Sequence, residues 1–268
     1  IQIIPPNVNK SEELFTTNDK GNIIYALAAI KNVGRKAAEN IYKSRLNNGP
    51  YRSLVDLCKI KDGAVNKKTL ESLIKSGACY EIEGTQSQQY NNIENALKIG
   101  TQYIKERDSI QSSLFAAEES ASNYSVLNFD SQDDWGEEEK LKNEKEVIGF
   151  YLTGNPLKKY EQDLKEFSNV NLAQLPEKLP KIIKIGGVPT TVNTRYDKKN
   201  RMWAIVNLES IIGRCEVFVF SDVYDKYRAL INEETPIFII GTPSNRMDGD
   251  NTLKFIAKEV YLIDRIRD

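Results

Sequence analysis

The chain has 268 residues, of which 40% are hydrophobic and 28% charged, and its formal net charge is −1. It contains no histidine, which excludes Ser-His-Asp and Cys-His hydrolases, His-ligated zinc or haem, and imidazole acid–base chemistry. The composition is that of a globular chain, and the length suggests about two domains.

No apolar run approaches the ~18 residues of a membrane-spanning helix. No membrane partner is therefore expected, and a cytoplasmic location is. Cys58, Cys79 and Cys215 form no CxxC and no metal spacing, so they read as reduced thiols filling a core. The sequence starts at Ile1, without Met or a signal-peptide pattern, and is expected to be a piece of a longer polypeptide.

Charge is uneven along the chain. Residues 20–80 hold 12 Lys/Arg against 4 Asp/Glu, a balance of +8. Residues 116–146 hold 3 against 10, or −7, and residues 147–268 hold 18 against 16, or +2. A basic block, an acidic connector and a mixed domain follow one another.

In chain order, residues 1–19 read as irregular, with Pro5-Pro6 and several Asn. Ile23, Ile24, Leu27 and Ile30 recur at helical spacing. Asn32-Val33-Gly34 breaks that pattern, and a second helix is predicted from about Arg35 to Arg45 with Ala38, Ile41 and Tyr42 on one face. Ser53 and Asp56 make a capping-box start for a short helix. Asn66 caps a further helix that stops at Ser76-Gly77. A longer helix is predicted from about 87 to 108, and 116–135 reads as an acidic linker. Residues 136–180 read as a connecting helical segment. From Lys181 the period becomes two, with strands at 182–195, 201–209, 213–220, 235–242 and 252–264 and a helix at 222–231. Five strands with a helix between the third and fourth is the order of an OB-fold β-barrel. The predicted fold is multidomain: an N-terminal all-α helix-hairpin-helix region, a linker, and a C-terminal five-stranded OB-fold barrel over 181–268.

The hairpin carries the first candidate site. Ile30, Val33 and Gly34 fit the hydrophobic-Gly-hydrophobic-Gly pattern, and Asn32 fills the first glycine slot. Asn is the non-glycine residue that best tolerates a left-handed backbone. Asn32, Val33, Gly34, Arg35 and Lys36 are the expected duplex contacts. The amides that open the second helix can hold a phosphate oxygen, and contacts of this kind grip the backbone without reading sequence. An ordinary αα-hairpin with a basic, solvated first turn is the competing reading. The turn at Ser76-Gly77-Ala78, with Lys75, is a candidate second copy.

In the barrel, the loop between the first two strands runs Arg195-Tyr196-Asp197-Lys198-Lys199-Asn200-Arg201. Four cations and an aromatic suit a loop that tracks a single strand. Met202, Ala204, Val206 and Leu208 make the inner face of the second strand, which puts Trp203 on the outer one. Trp203 and Phe218 are candidate stacking platforms, and Arg246 lies in the loop between the last two strands. Aromatics packed against a neighbouring element are the competing reading. Between the two regions, Gln111-Ser112-Ser113-Leu114-Phe115 places an apolar pair in a polar stretch, which suits docking into a partner's pocket or burial at the helix end.

Several strings resemble the C-terminal part of the bacterial DNA polymerase III alpha subunit. They are Pro5-Pro6-Asn7-Val8-Asn9 with Ser11, the stretch Ala29 to Gly34, the stretch Leu73 to Ala78, and the stretch Glu144 to Leu157, where Asn155 replaces the family's usual His. The resemblance implies that 1–19 ends the fingers region and that 20–110 is the duplex-binding region. It implies that Gln111, Ser113, Leu114 and Phe115 bind the sliding clamp (the beta subunit), with Ser112 where the family has Leu. It implies a barrel beside single-stranded template, other replisome subunits as partners through parts outside this chain, and no cofactor here. The Mg-binding palm that makes the whole protein a polymerase is not among these residues. The expected role is binding, through duplex DNA, single-stranded DNA and the clamp. A helix-hairpin-helix and OB segment of a DNA glycosylase or ligase, with Asp56 roughly placed for catalysis, and an RNA-binding OB module are the rivals.

Overall fold

The computed structural model describes residues 1–61, 65–112, 127, 129, 131, 133–233, 235–244 and 252–267, with backbone alone for 110–112. It divides into two compact units, Ile1–Gly154 and Asn155–Asp268.

The first unit opens with three two-residue strands, β1 (Ile3–Ile4), β2 (Thr16–Thr17) and β3 (Ile23–Ile24). β3 is central, parallel to β1 and antiparallel to β2. Ile23 and Ile24, expected on a helix, are therefore in a strand. Their β-branched side chains suit that setting, and helix returns only as a 3-10 turn at Leu27–Ala29. The helices follow: α1 (Arg35–Asn48), α2 (Leu54–Cys58), α3 (Lys67–Lys75), α4 (Gln86–Asn91), α5 (Ile93–Ser112) and α6 (Glu137–Ile148). Local chemistry sets their starts. Ser53 and Asp56 form the expected capping box, the Asn66 side chain accepts from the Thr69 amide, and Thr85 with Gln88 forms a second box. The single helix expected over 87–108 is two helices, because Asn92 leaves helical geometry (φ −99°, ψ 6°) and its side chain donates to the Gln88 carbonyl at 3.0 Å.

Leu27, Ile30, Ile41, Leu54, Leu57, Leu70, Leu73 and Ile74 form the fully buried centre of this unit. Burying each such side chain is worth about 1.5–3 kcal/mol, against about 0–1 kcal/mol for an exposed ion pair, so the apolar cluster holds the unit together. α5 lies so close to α2 that a Cβ on Gly100 would stand 2.4 Å from Cys58 Cβ and 2.6 Å from its carbonyl oxygen. Leu127 is buried in the same core, and Phe129 and Trp135 pack against it. The end of the segment expected to be linker is thus part of the helical unit. The segment expected to connect, 136–180, is divided: Val147 and Ile148 of α6 join the first core, while Leu157, Tyr160 and Leu164 belong to the second unit.

The second unit starts with a 3-10 turn at Lys158–Tyr160 and α7 (Glu161–Phe167). Its strands are β4 (Ile183–Tyr196), β5 (Met202–Glu209) and β6 (Arg214–Val219), then α8 (Ser221–Tyr227), β7 (Ile237–Pro243) and β8 (Leu253–Leu262). They close a barrel in the order β4-β5-β6-β8-β7, with β7 returning to β4. β6 and β8 are parallel and the other pairs antiparallel. This is the predicted OB fold, and every predicted strand is present. Register shifts between Pro189 and Thr191 and between Ile240 and Gly241 give the curvature that closure needs. At the second, a Cβ on Gly241 would stand 2.2 Å from the Ile256 carbonyl oxygen.

All three cysteines are buried and unpaired. Burial pushes each thiol up to about 12, which makes them inert core fillers, as read from their spacing. Among the described residues no helix is long and apolar enough to cross a membrane.

Candidate nucleic-acid interface

Asn32 occupies the left-handed region, with φ 64°, the conformation that its place in the glycine slot required. Its side chain donates to Ser72 Oγ at 3.1 Å, and its carbonyl accepts from Thr69 Oγ1 at 3.3 Å. Val33 is buried and Gly34 exposed. Gly34 is extended (φ −63°, ψ 152°) and is the N-cap of α1, where no side chain caps the helix. The first intrahelical bond is from the Ala38 amide to the Gly34 carbonyl. The amides of Arg35, Lys36 and Ala37 therefore have no helical acceptor, and the positive end of the helix dipole lies there.

The two cations at this end differ. Arg35 Nε donates to Glu13, so its charge is already matched by a carboxylate, whereas Lys36 is exposed and has no ion pair among the described residues. The candidate second hairpin is weaker still. Gly77 is left-handed (φ 74°), but Lys75 is bound to Glu146 at 2.7 Å and lies 5.9 Å from the Tyr90 ring.

In the barrel, β4 and β5 are joined by a turn built around Asp197. Its carboxylate accepts from the Lys199 amide at 2.8 Å, from the Arg201 amide at 2.9 Å and from Arg201 Nε at 3.0 Å. The Arg201 amide is the largest of the influences that hold this carboxyl below its ordinary range. Asn200 takes the left-handed position that closes the turn (φ 60°). Arg201 also reaches Asp222 at 2.8 Å. It is thus a turn-building residue facing two carboxylates, and the loop cations that form no ion pair among the described residues are Arg195, Lys198 and Lys199, all exposed beside exposed Tyr196.

Trp203 stands on the outer face, as predicted, with its ring 5.8 Å from that of Phe220 and tilted by 34°. Arg195 is Trp203's partner across β4 and β5. Directly paired residues share a face, so Arg195, Trp203 and Phe220 make one row. Phe218 is 7% exposed and Phe220 49%. The expectation that Phe218 is a platform is therefore corrected: it is buried against its neighbours, and Phe220, not predicted, holds the accessible position. Both have the same parity along the chain, so carrying the alternation one step past β6 would have found it. Met202 packs against the barrel core from its predicted inner side.

Gln111 lies in the last turn of α5 by its backbone, while Ser113, Leu114, Phe115 and Arg246 lie outside the described residues. Asp56 is not a poised catalytic carboxylate. It accepts from the Arg52 amide at 3.0 Å, the Ser53 amide at 3.1 Å and Lys59 Nζ at 3.0 Å. Burial opposes its ionisation, but these donors outweigh burial and hold its pKa low, which removes the feature that motivated a glycosylase.

Residues 1–89 match the helix-hairpin-helix motif family. The whole chain is similar to the DNA polymerase III subunit alpha of Escherichia coli K12, at 31% identity over 271 residues, which is 100% of this chain and 23% of that protein. The same subunit of Buchnera aphidicola from Acyrthosiphon pisum is 32% identical over 90% of this chain and 21% of its own length. The chain thus spans about a quarter of these relatives. Among solved structures, the mitochondrial single-stranded DNA-binding protein Rim1 of S. cerevisiae aligns with 30% of this chain and 92% of its own, at 13% identity and a TM-score of 0.26. The SSB domain of a Synechococcus protein covers 32% of this chain and 99% of its own, at 12% identity and a TM-score of 0.25. By its whole-length similarity and its helix-hairpin-helix module, this chain matches the C-terminal region of the DNA polymerase III alpha subunit.

Proposed function

We propose that this chain is the DNA-holding segment of a replicative DNA polymerase. The hairpin holds duplex backbone, the barrel holds single-stranded template, and the peptide around Gln111, Ser113, Leu114 and Phe115 tethers the enzyme to a sliding clamp. The observation that carries the reading is the uncapped N-terminus of α1, set by the left-handed Asn32 and flanked by Arg35 and Lys36. Such an end offers backbone amides and a favourable dipole to a phosphate oxygen. It recognises what every duplex shares, as a polymerase acting on any sequence requires. The barrel adds a cation–aromatic row suited to a stacked strand. Tethering raises the local concentration of enzyme at the primer end without new contacts to DNA. Nucleotide addition belongs to the part of the relatives' length that this chain does not span.

The test is the salt dependence of duplex affinity. Each phosphate neutralised contributes about 0.9 to the slope of log affinity against log salt. Lys36→Ala lowers affinity and flattens the slope by about one counterion. Glu13→Gln, which frees Arg35, raises affinity. Unchanged slopes in both variants would remove the hairpin from the DNA site. A pull-down with the clamp, lost on Leu114→Ala with Phe115→Ala, tests the tether separately, and retained binding would refute it.

A further inference from the structure

A polar-walled cavity of about 350 Å³ opens in the first unit, where the C-terminal end of α1, the start of α2 and the outer turns of α5 converge. Its walls include Arg52, Lys59 and Arg107, with Asp56 and Tyr103. None of these belongs to the hairpin or the barrel row. α1 has 14 residues, so at 1.5 Å per residue this end of it lies about 20 Å from the hairpin. A phosphate held by Lys36 is out of reach of this cavity.

The charges in the cavity are only partly matched. The one carboxylate, Asp56, is already engaged by two backbone amides and by Lys59. Arg107 lies 6.0 Å from the Tyr103 ring, and its Nε is sealed from solvent with no acceptor among the described residues. Arg52 is exposed and forms no ion pair among the described residues. Three cations and one carboxylate line the cavity, Asp108 outside the lining acts on Arg107 but is paired with Lys61, and the C-terminal end of α1 adds about half a negative charge. A clear positive excess remains. Part of it sits on half-buried Arg107, whose Nε is sealed from water, where attraction to an anion is less screened than in bulk solvent.

We infer that this cavity is a second anion site, taking the phosphate group of a nucleotide or of a nucleic-acid strand. Arginine presents planar, forked donors that match phosphate oxygens in pairs. The volume falls within the range of small-ligand pockets, about 300–1,000 Å³, and leaves room for the sugar attached to the phosphate. With Lys59 and Arg107 against its ring, Tyr103 serves to position cations rather than to stack a base.

The experiment uses the full 268-residue chain and calorimetric titration with inorganic phosphate, a deoxynucleoside 5′-monophosphate, and a short DNA duplex. The variants are Arg107→Gln and Arg52→Glu, with folding checked by circular dichroism. Arg52 is exposed, so its variant keeps the test open if Arg107→Gln fails to fold. Loss of one charge-assisted contact corresponds to a weakening of about tenfold. Weakened binding of the monophosphate or phosphate identifies a free nucleotide as the source. Weakened binding of the duplex alone identifies backbone phosphate. The weakening caused by Arg52→Glu is the same in the parent and in a Lys36→Ala background, which separates this site from the hairpin. Folded variants that bind all three ligands like the parent would overturn the proposal.

Discussion

The side-chain amide of Asn32 donates to Ser72 Oγ at 3.1 Å, across 40 residues of sequence. The hairpin is therefore fastened to α3 by the residue that also supplies its left-handed turn. A glycine would provide the turn and lose the fastening. An alanine would lose both. Asn32→Gly is expected to cost about 1 kcal/mol for the hydrogen bond. Asn32→Ala should cost about 2–3 kcal/mol, because a left-handed backbone adds roughly 1–2 kcal/mol for a residue with a Cβ. The two tryptophans fall in different units, Trp135 in the first and Trp203 in the barrel. Urea titration followed by Trp135 fluorescence in a Trp203→Phe background reads the first unit alone. Equal costs for the two variants would show that backbone strain at position 32 is unimportant.

The barrel's aromatics should separate into two kinds. Trp203 and Phe220 share an accessible row with Arg195, so replacing either by alanine should cost single-strand affinity about 1–3 kcal/mol, the worth of one stacked base. Stability should change little. Phe218→Ala should behave in the opposite way. It removes a buried ring and should cost about 3–5 kcal/mol of stability, with binding reduced only as far as the fold is. Fluorescence anisotropy on an oligothymidine, together with thermal melts, distinguishes the two. A Phe218→Ala variant that melts like the parent but binds weakly would reverse the assignment.

This division shows where sequence is legible and where it is not. The barrel strands were readable because alternation with a buried face is a local signal: Ala204, Val206 and Leu208 are inside as their spacing requires. The caps at Ser53 and Asn66 were readable because their chemistry spans three residues. Ile23 and Ile24 are not legible as strand because two residues fit a helical period as well as a strand one, and only pairing with β1 and β2 decides between them. The ion pair of Arg35 is not legible because its partner, Glu13, lies 22 residues away; Arg201 has one partner, Asp197, within its own loop and a second, Asp222, 21 residues away, which only the fold brings to it. Phe218 and Phe220 have the same parity, and tertiary burial alone separates them.

Glu144 gives the first unit a pH dependence of defined sign. Only 3% of it is exposed, and its carboxylate accepts from the Thr153 amide at 2.9 Å and from Thr153 Oγ1 at 3.0 Å. Burial is the largest influence and raises its pKa despite these bonds. The folded state therefore binds this proton more tightly than the unfolded state, so the stability it contributes is present at low pH and is lost as pH rises through the folded pKa. Acid-side losses from Asp56 and Asp134, whose pKa values are lowered, run the other way. The comparison with Glu144→Gln isolates the contribution of this carboxyl group. The parent should gain stability relative to the variant as pH falls from above the folded pKa towards the ordinary value of 4.5. Urea titrations across that window would show parallel curves if Glu144 were not responsible.

The contact of α5 with α2 leaves no room for a side chain at Gly100. A methyl group there would meet Cys58 Cβ at 2.4 Å and the Cys58 carbonyl carbon at 2.7 Å. The obstacle is backbone, so no rotamer change relieves it, and the helices must separate. In an exposed helix interior Gly→Ala stabilises by about 1 kcal/mol through propensity. Here overpacking, typically about 1–3 kcal/mol and occasionally more, opposes that gain and should exceed it. Separation would also open Leu54 and Leu57 of α2, which are fully buried. It would loosen the wall of the cavity formed by Lys59, Tyr103 and Arg107. Gly100→Ala should thus lower the melting temperature of the first unit and leave the barrel transition unchanged, since Gly100 lies within Ile1–Gly154. Differential scanning calorimetry, with Trp203 fluorescence in a Trp135→Phe background as the barrel reporter, resolves the two transitions. A first transition raised by the substitution would show that α5 moves aside at little cost.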